Sequence, residues 1–245
     1  MKHILSAAAV LGLVAGAIGA GPANAGIVHY SGTDSGAPSS GPFPNSSAAQ
    51  ATFESHLASF NTITFEGLPT GDPHSVNPAP GVNITWTDCC GYPYGGIIAG
   101  NPFGLNVYGF NVTSGGNQWL GFAGGSATFT FTSAISAFGF WATGLQTVFT
   151  LPGDLTVKFN DGAAETLLPP VTAIGGAEYF SFTDAGKSIT SITISDPSND
   201  AWGIDDVTYG TAKGVVGVPE PGSLLLIGSG LVALGTFRRR KQRKA

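Results

Sequence analysis

Cysteine is nearly missing from this 245-residue chain: there are two, Cys89 and Cys90, and they are adjacent. Neighbouring cysteines cannot staple distant parts of a fold, so any stability must come from a packed core. The pair is left as a strained vicinal bridge, an intermolecular disulfide or two thiols. Arginine is absent from Gly26 to Gly217, where three bases (Lys158, Lys187 and Lys213) stand against fourteen acids, a net charge of −11. Without basic patches this stretch has nothing with which to hold a phosphate backbone or anionic lipid, which excludes nucleic acid as a partner. A polyanionic surface suits solubility outside the cell, or cation binding. Catalytic signatures are missing as well. Past the N-terminal segment the histidines are His29, His56 and His74, none at a recognised zinc spacing, and this stretch has no G-x-S-x-G elbow, P-loop or dinucleotide fingerprint. The expectation is therefore a non-enzymatic protein. A secreted hydrolase is the second alternative, and it requires convergent carboxylates or a Ser/His pair in a cleft.

Both ends read as targeting segments. Met1–Ala25 places Lys2 and His3 before an apolar stretch, Ile4–Ala20, and closes on Ala23-Asn24-Ala25. That is a secretory signal with small residues at a signal-peptidase cut after Ala25, so the mature chain is expected to start at Gly26. At the other end Val218-Pro219-Glu220-Pro221 is followed by a charge-free run, Gly222–Phe237, and then by six cations within Arg238–Lys244, beginning Arg238-Arg239-Arg240. Proline fixes its own φ and restricts the residue before it, so Glu220 is held in extended chain. At a rise of ~1.5 Å per residue the apolar run spans roughly 24 Å of a ~30 Å hydrocarbon core, a gap that snorkelling Arg side chains and local thinning can close. The basic end stays cytoplasmic under the positive-inside rule, which puts everything before it across the membrane.

The order Pro-Glu-Pro, short hydrophobic helix, Arg-rich end resembles the PEP-CTERM sorting signal of Gram-negative bacteria, over about 28 of the residues. The resemblance implies recognition and cutting near the motif by exosortase, an integral-membrane transpeptidase-like enzyme. It also implies transient anchorage in the inner membrane, then release to the cell surface or an extracellular, biofilm-type matrix. Glu220, a lone charge between two rigid prolines, is the expected recognition handle, and Val218 precedes it as is common in that family.

Between the ends lies one domain. Residues 26–45, rich in Gly, Ser and Pro, read as a flexible lead-in, residues 46–210 as the folded ectodomain and residues 211–217 as a linker to the tag at 218–245. Ser46–Phe60 predicts a single helix capped by Asn45 or Ser46, with Phe53, Leu57 and Phe60 on one face. From Asn61 onward short alternating runs separated by turn residues predict ten strands, among them Ala127–Ser133, Ile135–Ala142, Thr147–Leu151, Ser188–Ser195 and Trp202–Tyr209. Ser188–Ile194 slips phase once, so a bulge is expected there. Many short strands and little helix predict an all-β protein, an antiparallel, jelly-roll-like β-sandwich with one short N-terminal helix. The helix, Phe65-Glu66-Gly67-Leu68-Pro69 and a final Gly203-Ile204-Asp205-Asp206-Val207 are also similar to ectodomains that precede this sorting tag, and to jelly-roll carbohydrate-binding modules.

Calcium takes six to eight oxygen ligands, and Glu66 together with Asp196, Asn199, Asp200, Asp205 and Asp206 offers them. In the modules resembled, a structural calcium sits where first and last strands meet. Carried over, that gives Glu66 and Asp205, with Asp206 as substitute. Strand parity places Asp206 on the face of Trp202 and Ile204, and Asp205 on the face of Val207 and Tyr209. For a polysaccharide ligand the candidates are Trp119, Tyr92 and Tyr94, expected to be exposed, whereas Trp141 and Trp202 read as core.

Overall fold

The computed structural model describes residues 26–104, 108–160, 165–167 and 175–214. The signal segment with Ala23 and Ala25, the sorting motif Val218–Pro221, the apolar run and the Arg238–Arg240 end lie outside the described residues. Ala25–Val216 forms one unit. In chain order its elements are β1 (Val28–Ser35), α1 (Pro44–Ser55), β2 (Leu57–Ile63), β3 (Ser75–Ala79), β4 (Val82–Thr87), β5 (Gly96–Ala99), β6 (Gln118–Ile135), β7 (Ala137–Thr143), β8 (Thr156–Asn160), β9 (Glu165–Leu167), β10 (Gly176–Thr183) and β11 (Ile189–Ala212).

All pairings between the strands are antiparallel, and together they build a β-sandwich. Two long strands, β6 and β11, run through both layers. The first half of β11 pairs with the second half of β6 and with β8, in a layer extended by β4, β3 and β9. Its second half pairs with β7 and β2, in a layer continued by β10 and β1. Period-two alternation then fills the space between layers. Phe138 and Phe140 of β7 and Phe180 and Phe182 of β10 meet Phe129 and Phe131 of β6 and Phe159 of β8 in a single buried cluster. Phe129 and Phe138 cross edge-on at 5.4 Å and Phe159 stacks on Phe182 at 5.0 Å. Each such ring contributes about 1.5–3 kcal/mol by leaving water. Pro78 lies in β3, at the end of the strand order, where a missing ladder donor is tolerated.

The alternate face of β7 and β10 carries Trp141, Ala177 and Tyr179, and α1 covers it with Ala49 and Phe53. The Trp141 indole donates to Gln50 Oε1 at 3.0 Å. Pro44 starts the helix with its φ already set. No side chain of its own caps it. Instead Asp34, from β1, accepts the backbone N–H groups of Asn45 (3.2 Å) and Ser46 (2.9 Å). Gly32 permits this closeness, since a Cβ there would overlap the Asn45 carbonyl.

Three expectations are corrected. Residues 26–45 are not all a free lead-in, because β1 pairs along its whole length with β10. The helix ends at Ser55 rather than Phe60: Leu57–Ile63 is drawn into pairing with the end of β11, which leaves Leu57 buried and Phe60 exposed. Thr147–Leu151 is a turn, with Thr150 bonded back to Gln146. The bulge expected near Ser188–Ile194 is present, as a register shift between Ile189 and Ser191.

Candidate functional site

Three of the carboxylates singled out in sequence, Glu66, Asp205 and Asp206, gather around a bulge in β11, whereas Asp196 and Asp200 lie apart from them, with Thr150 and Gln146. Register against β7 shifts between Asp205 and Thr208, and Asp206 has φ +40. This bulge breaks the parity expected of an unbroken strand. Ile204 and Val207 both enter the core, while the two consecutive acids both turn to Thr113. Asp205 Oδ2 accepts from the backbone N–H of Val112 (2.7 Å) and Thr113 (3.2 Å) and from Asn111 Nδ2 (3.2 Å). The Thr113 hydroxyl donates to Asp206 Oδ1. Glu66 Oε1, just after β2, accepts from the backbone of Asn117 (2.7 Å) and Gln118 (2.8 Å) and again from Asn111 Nδ2 (3.0 Å). One asparagine and one threonine thus link Glu66, Asp205 and Asp206, but the three do not bring ligand atoms within 4.8 Å of one another.

Burial, and then the neighbouring Asp206 charge, push the Asp205 carboxyl well above the ordinary range against the backbone N–H groups of Val112, Asp206 and Thr113. Burial likewise raises Asp206. Asp205 Oδ1 is buried without a hydrogen-bond partner. Glu178 of β10 is also buried, with neither carboxylate oxygen hydrogen-bonded, and burial holds it well above its ordinary value.

A second locus surrounds the cysteines, which are bonded to each other. Tyr92 and Tyr94 are exposed, as expected, and Tyr94 stacks on Phe103 (5.2 Å), which in turn meets Tyr108 (4.8 Å). A cleft of about 220 Å³ is lined by Cys90, Tyr94, Tyr108, Phe149, Asn199 and Asp200, among others. Asp200 is buried and accepts the Gln146 N–H at 2.7 Å. Burial outweighs that bond and brings its carboxyl up to about 7, with the Asp196 charge adding to the rise. A wider groove of about 770 Å³ runs between β1 and α1, away from both loci.

Trp119 is a correction: it is fully buried, not a surface platform, with its indole packed where a Cβ on Gly203 would stand. Trp141 and Trp202 are core, as expected. A set that sequence reasoning missed is Asp72, His74 and Asp88. Among the described residues it is the group of three metal-type side chains whose ligand atoms lie within 4.8 Å of one another. The signal for it was Asp72-Pro73-His74, too short to stand out before the sheet brought Asp88 beside it.

Residues 217–241 match the family model of the PEP-CTERM protein-sorting motif. That motif implies export, a transient membrane anchorage by the C-terminal region and exosortase processing. No curated protein matches the chain. Among solved structures, the K2 cleaved adhesin domain of Lys-gingipain is similar over 62% of this chain and 99% of its own, at 16% identity and a TM-score of 0.40. A mutant of the family 29 carbohydrate-binding module CBM29-2 is similar over 63% and 94%, at 15% identity and 0.31. The CBM22-1–GH10 modules of xylanase 10B from Clostridium thermocellum are similar over 61% of this chain and 28% of theirs, at 14% identity and 0.31. Likeness of this degree assigns no function.

Proposed function

We infer that this chain, a PEP-CTERM protein by its residues 217–241, is a non-enzymatic component of the cell surface or extracellular matrix, cut from its membrane anchor near Pro219-Glu220-Pro221. The sorting match is the observation that carries the reading. The ectodomain is consistent with a structural role: N–H donors of the 111–118 segment hold Asp205 Oδ2, which ties that segment to β11, and Glu66 Oε1, which ties it to the turn after β2. After the signal segment is removed before Gly26, Glu220 offers the processing enzyme one negative charge on a rigid stem. The cationic Arg238–Arg240 end holds the other side of the apolar run in the cytoplasm. Replacing Glu220 by Ala in the native host tests this. Retention of the full-length variant in the inner membrane, while the wild type reaches the surface, supports the reading. Equal release of both forms refutes it.

The alternative is a carbohydrate-binding module with structural calcium. It is favoured by the cleft beside Cys90, where Tyr94 and Tyr108 offer ring faces for stacking on a sugar and Asn199 and Asp200 offer polar edges. Calcium at Glu66, Asp205 and Asp206 is supported by the unpartnered Asp205 Oδ1, an oxygen left without a donor in a buried place. Tyr94→Ala abolishes retention on a polysaccharide column under this reading, and EDTA lowers the melting temperature by several degrees. Unchanged retention and an unchanged melting curve remove it.

A further inference from the structure

We propose that Asp72, His74 and Asp88 form a binding site for a divalent transition-metal ion of the Zn²⁺ class. Their ligand atoms already lie within 4.8 Å of one another, and each is placed by a separate backbone device. Asp72 follows Gly71, which exchanges two hydrogen bonds with Ile97 of β5 (3.0 and 2.7 Å). A Cβ on Gly96 would overlap both the Gly71 carbonyl and the Asp72 Cα, so glycine at 96 is what lets this segment lie against β5. The Trp86 indole N–H then fixes Asp72 Oδ1 at 2.8 Å. The carbonyl of His74 accepts the Trp86 backbone N–H at 3.1 Å, and its φ of +57 turns the imidazole towards Asp72, with Nδ1 3.2 Å from Asp72 Oδ1.

Asp88 closes the set. Its Oδ1 accepts the N–H groups of Cys90 (3.1 Å) and Gly91 (2.8 Å), which holds the carboxyl in one orientation. Its Oδ2 is buried with no hydrogen-bond partner and lies where a Cβ on Gly95 would stand. A carboxylate oxygen left bare inside the protein calls for a cation or a donor, and none of the surrounding groups supplies one. The Trp86 and loop N–H bonds are the outer-shell contacts that orient metal ligands.

The donor set chooses the ion. One imidazole nitrogen with two carboxylate oxygens suits Zn²⁺ or a neighbouring first-row ion. Calcium and magnesium prefer oxygen alone. Three protein ligands leave a coordination position open, and the His74 side chain, 62% exposed, puts that position at the surface.

The test is titration of metal-free full-length protein in detergent with Zn²⁺ by calorimetry, and with Co²⁺ by visible absorption. Two variants keep the local geometry. His74→Asn retains a residue that tolerates positive φ, and Asp88→Asn retains the Oδ1 that accepts from Cys90 and Gly91. The wild type takes up one Zn²⁺, and each variant weakens uptake by at least about tenfold. The Co²⁺ band of the wild type disappears in His74→Asn. Absence of uptake by the wild type, or uptake that neither variant weakens, overturns the proposal. Displacement of Zn²⁺ by an equal concentration of Ca²⁺ overturns the assignment of ion class.

Discussion

Asn111 is the residue whose loss should cost the ectodomain most for its size. Its Nδ2 donates to Glu66 Oε1 (3.0 Å), to Asp205 Oδ2 (3.2 Å) and to the Gln118 carbonyl (3.0 Å), so one amide joins the turn after β2, the start of β6 and the bulge of β11. Hydrogen bonds to charged groups are worth about 1.5–3 kcal/mol each. Both carboxylates keep backbone donors after Asn111→Ala, so only part of that is lost, and the expected destabilisation is about 2–4 kcal/mol. For a domain of this length that lowers the melting temperature by roughly 4–16 °C. The assay is thermal unfolding followed by circular dichroism, on wild type and variant at the same concentration. Removing a donor raises the Asp205 carboxyl further, so the deficit should widen as pH rises. A change under about 1 °C, or one with no pH dependence, would mean that water or other donors already satisfy these carboxylates, and the network would not be what ties the 111–118 segment to β11.

Other outcomes follow from the same reasoning. Asp34→Asn weakens the cap that β1 provides to α1, costing about 0.5–2 kcal/mol at pH 7. Burial raises the Asp34 carboxyl, but the Ser46 and Asn45 bonds outweigh it and hold the pKa below its ordinary value. That contribution is therefore present above about pH 4 and fades as pH falls through the lower folded value, so wild-type and variant melting curves converge in acid. Asp200, held at about 7 by burial, contributes in the opposite sense. Its stabilisation is complete below the unfolded value near 4 and is lost as pH rises towards 7, so Asp200→Asn should melt above the wild type at pH 8 and close to it at pH 4. Equal differences at both pH values would refute that assignment. Trp119→Ala should cost about 3–5 kcal/mol as a core truncation and lower the melting temperature, whereas Tyr94→Ala, at an exposed ring, should leave it nearly unchanged. The reverse order would restore Trp119 as a surface residue.

Much of the sandwich was legible because its cue is local. Ala127-Thr128-Phe129-Thr130-Phe131-Thr132 alternates without interruption, and the phenylalanines face the core where alternation puts them. The tag was legible for another reason: its three parts are contiguous and each follows from a single physical constraint. What stayed hidden depends on distant pairing. Residues 28–35 are polar and look unstructured alone, and β10 makes them a strand. Leu57 and Phe60 continue the helical spacing after Phe53, but the end of β11 competes for them and prevails. Asp205 and Asp206 stood out as consecutive acids in a strand, yet their common orientation comes from a bulge that no periodicity announces. Asp72, His74 and Asp88 meet only after β4 and the Gly71–Ile97 bridge have formed, so nothing in their spacing marked them.

The central claim is that this ectodomain is exported and then separated from its C-terminal anchor. Intact mass of the protein recovered from the envelope and from the medium of its own host tests that most directly. A species beginning at Gly26 and ending within Val218–Pro221 is the predicted result. A species recovered only in the inner membrane and still carrying Arg238–Lys244 would contradict it.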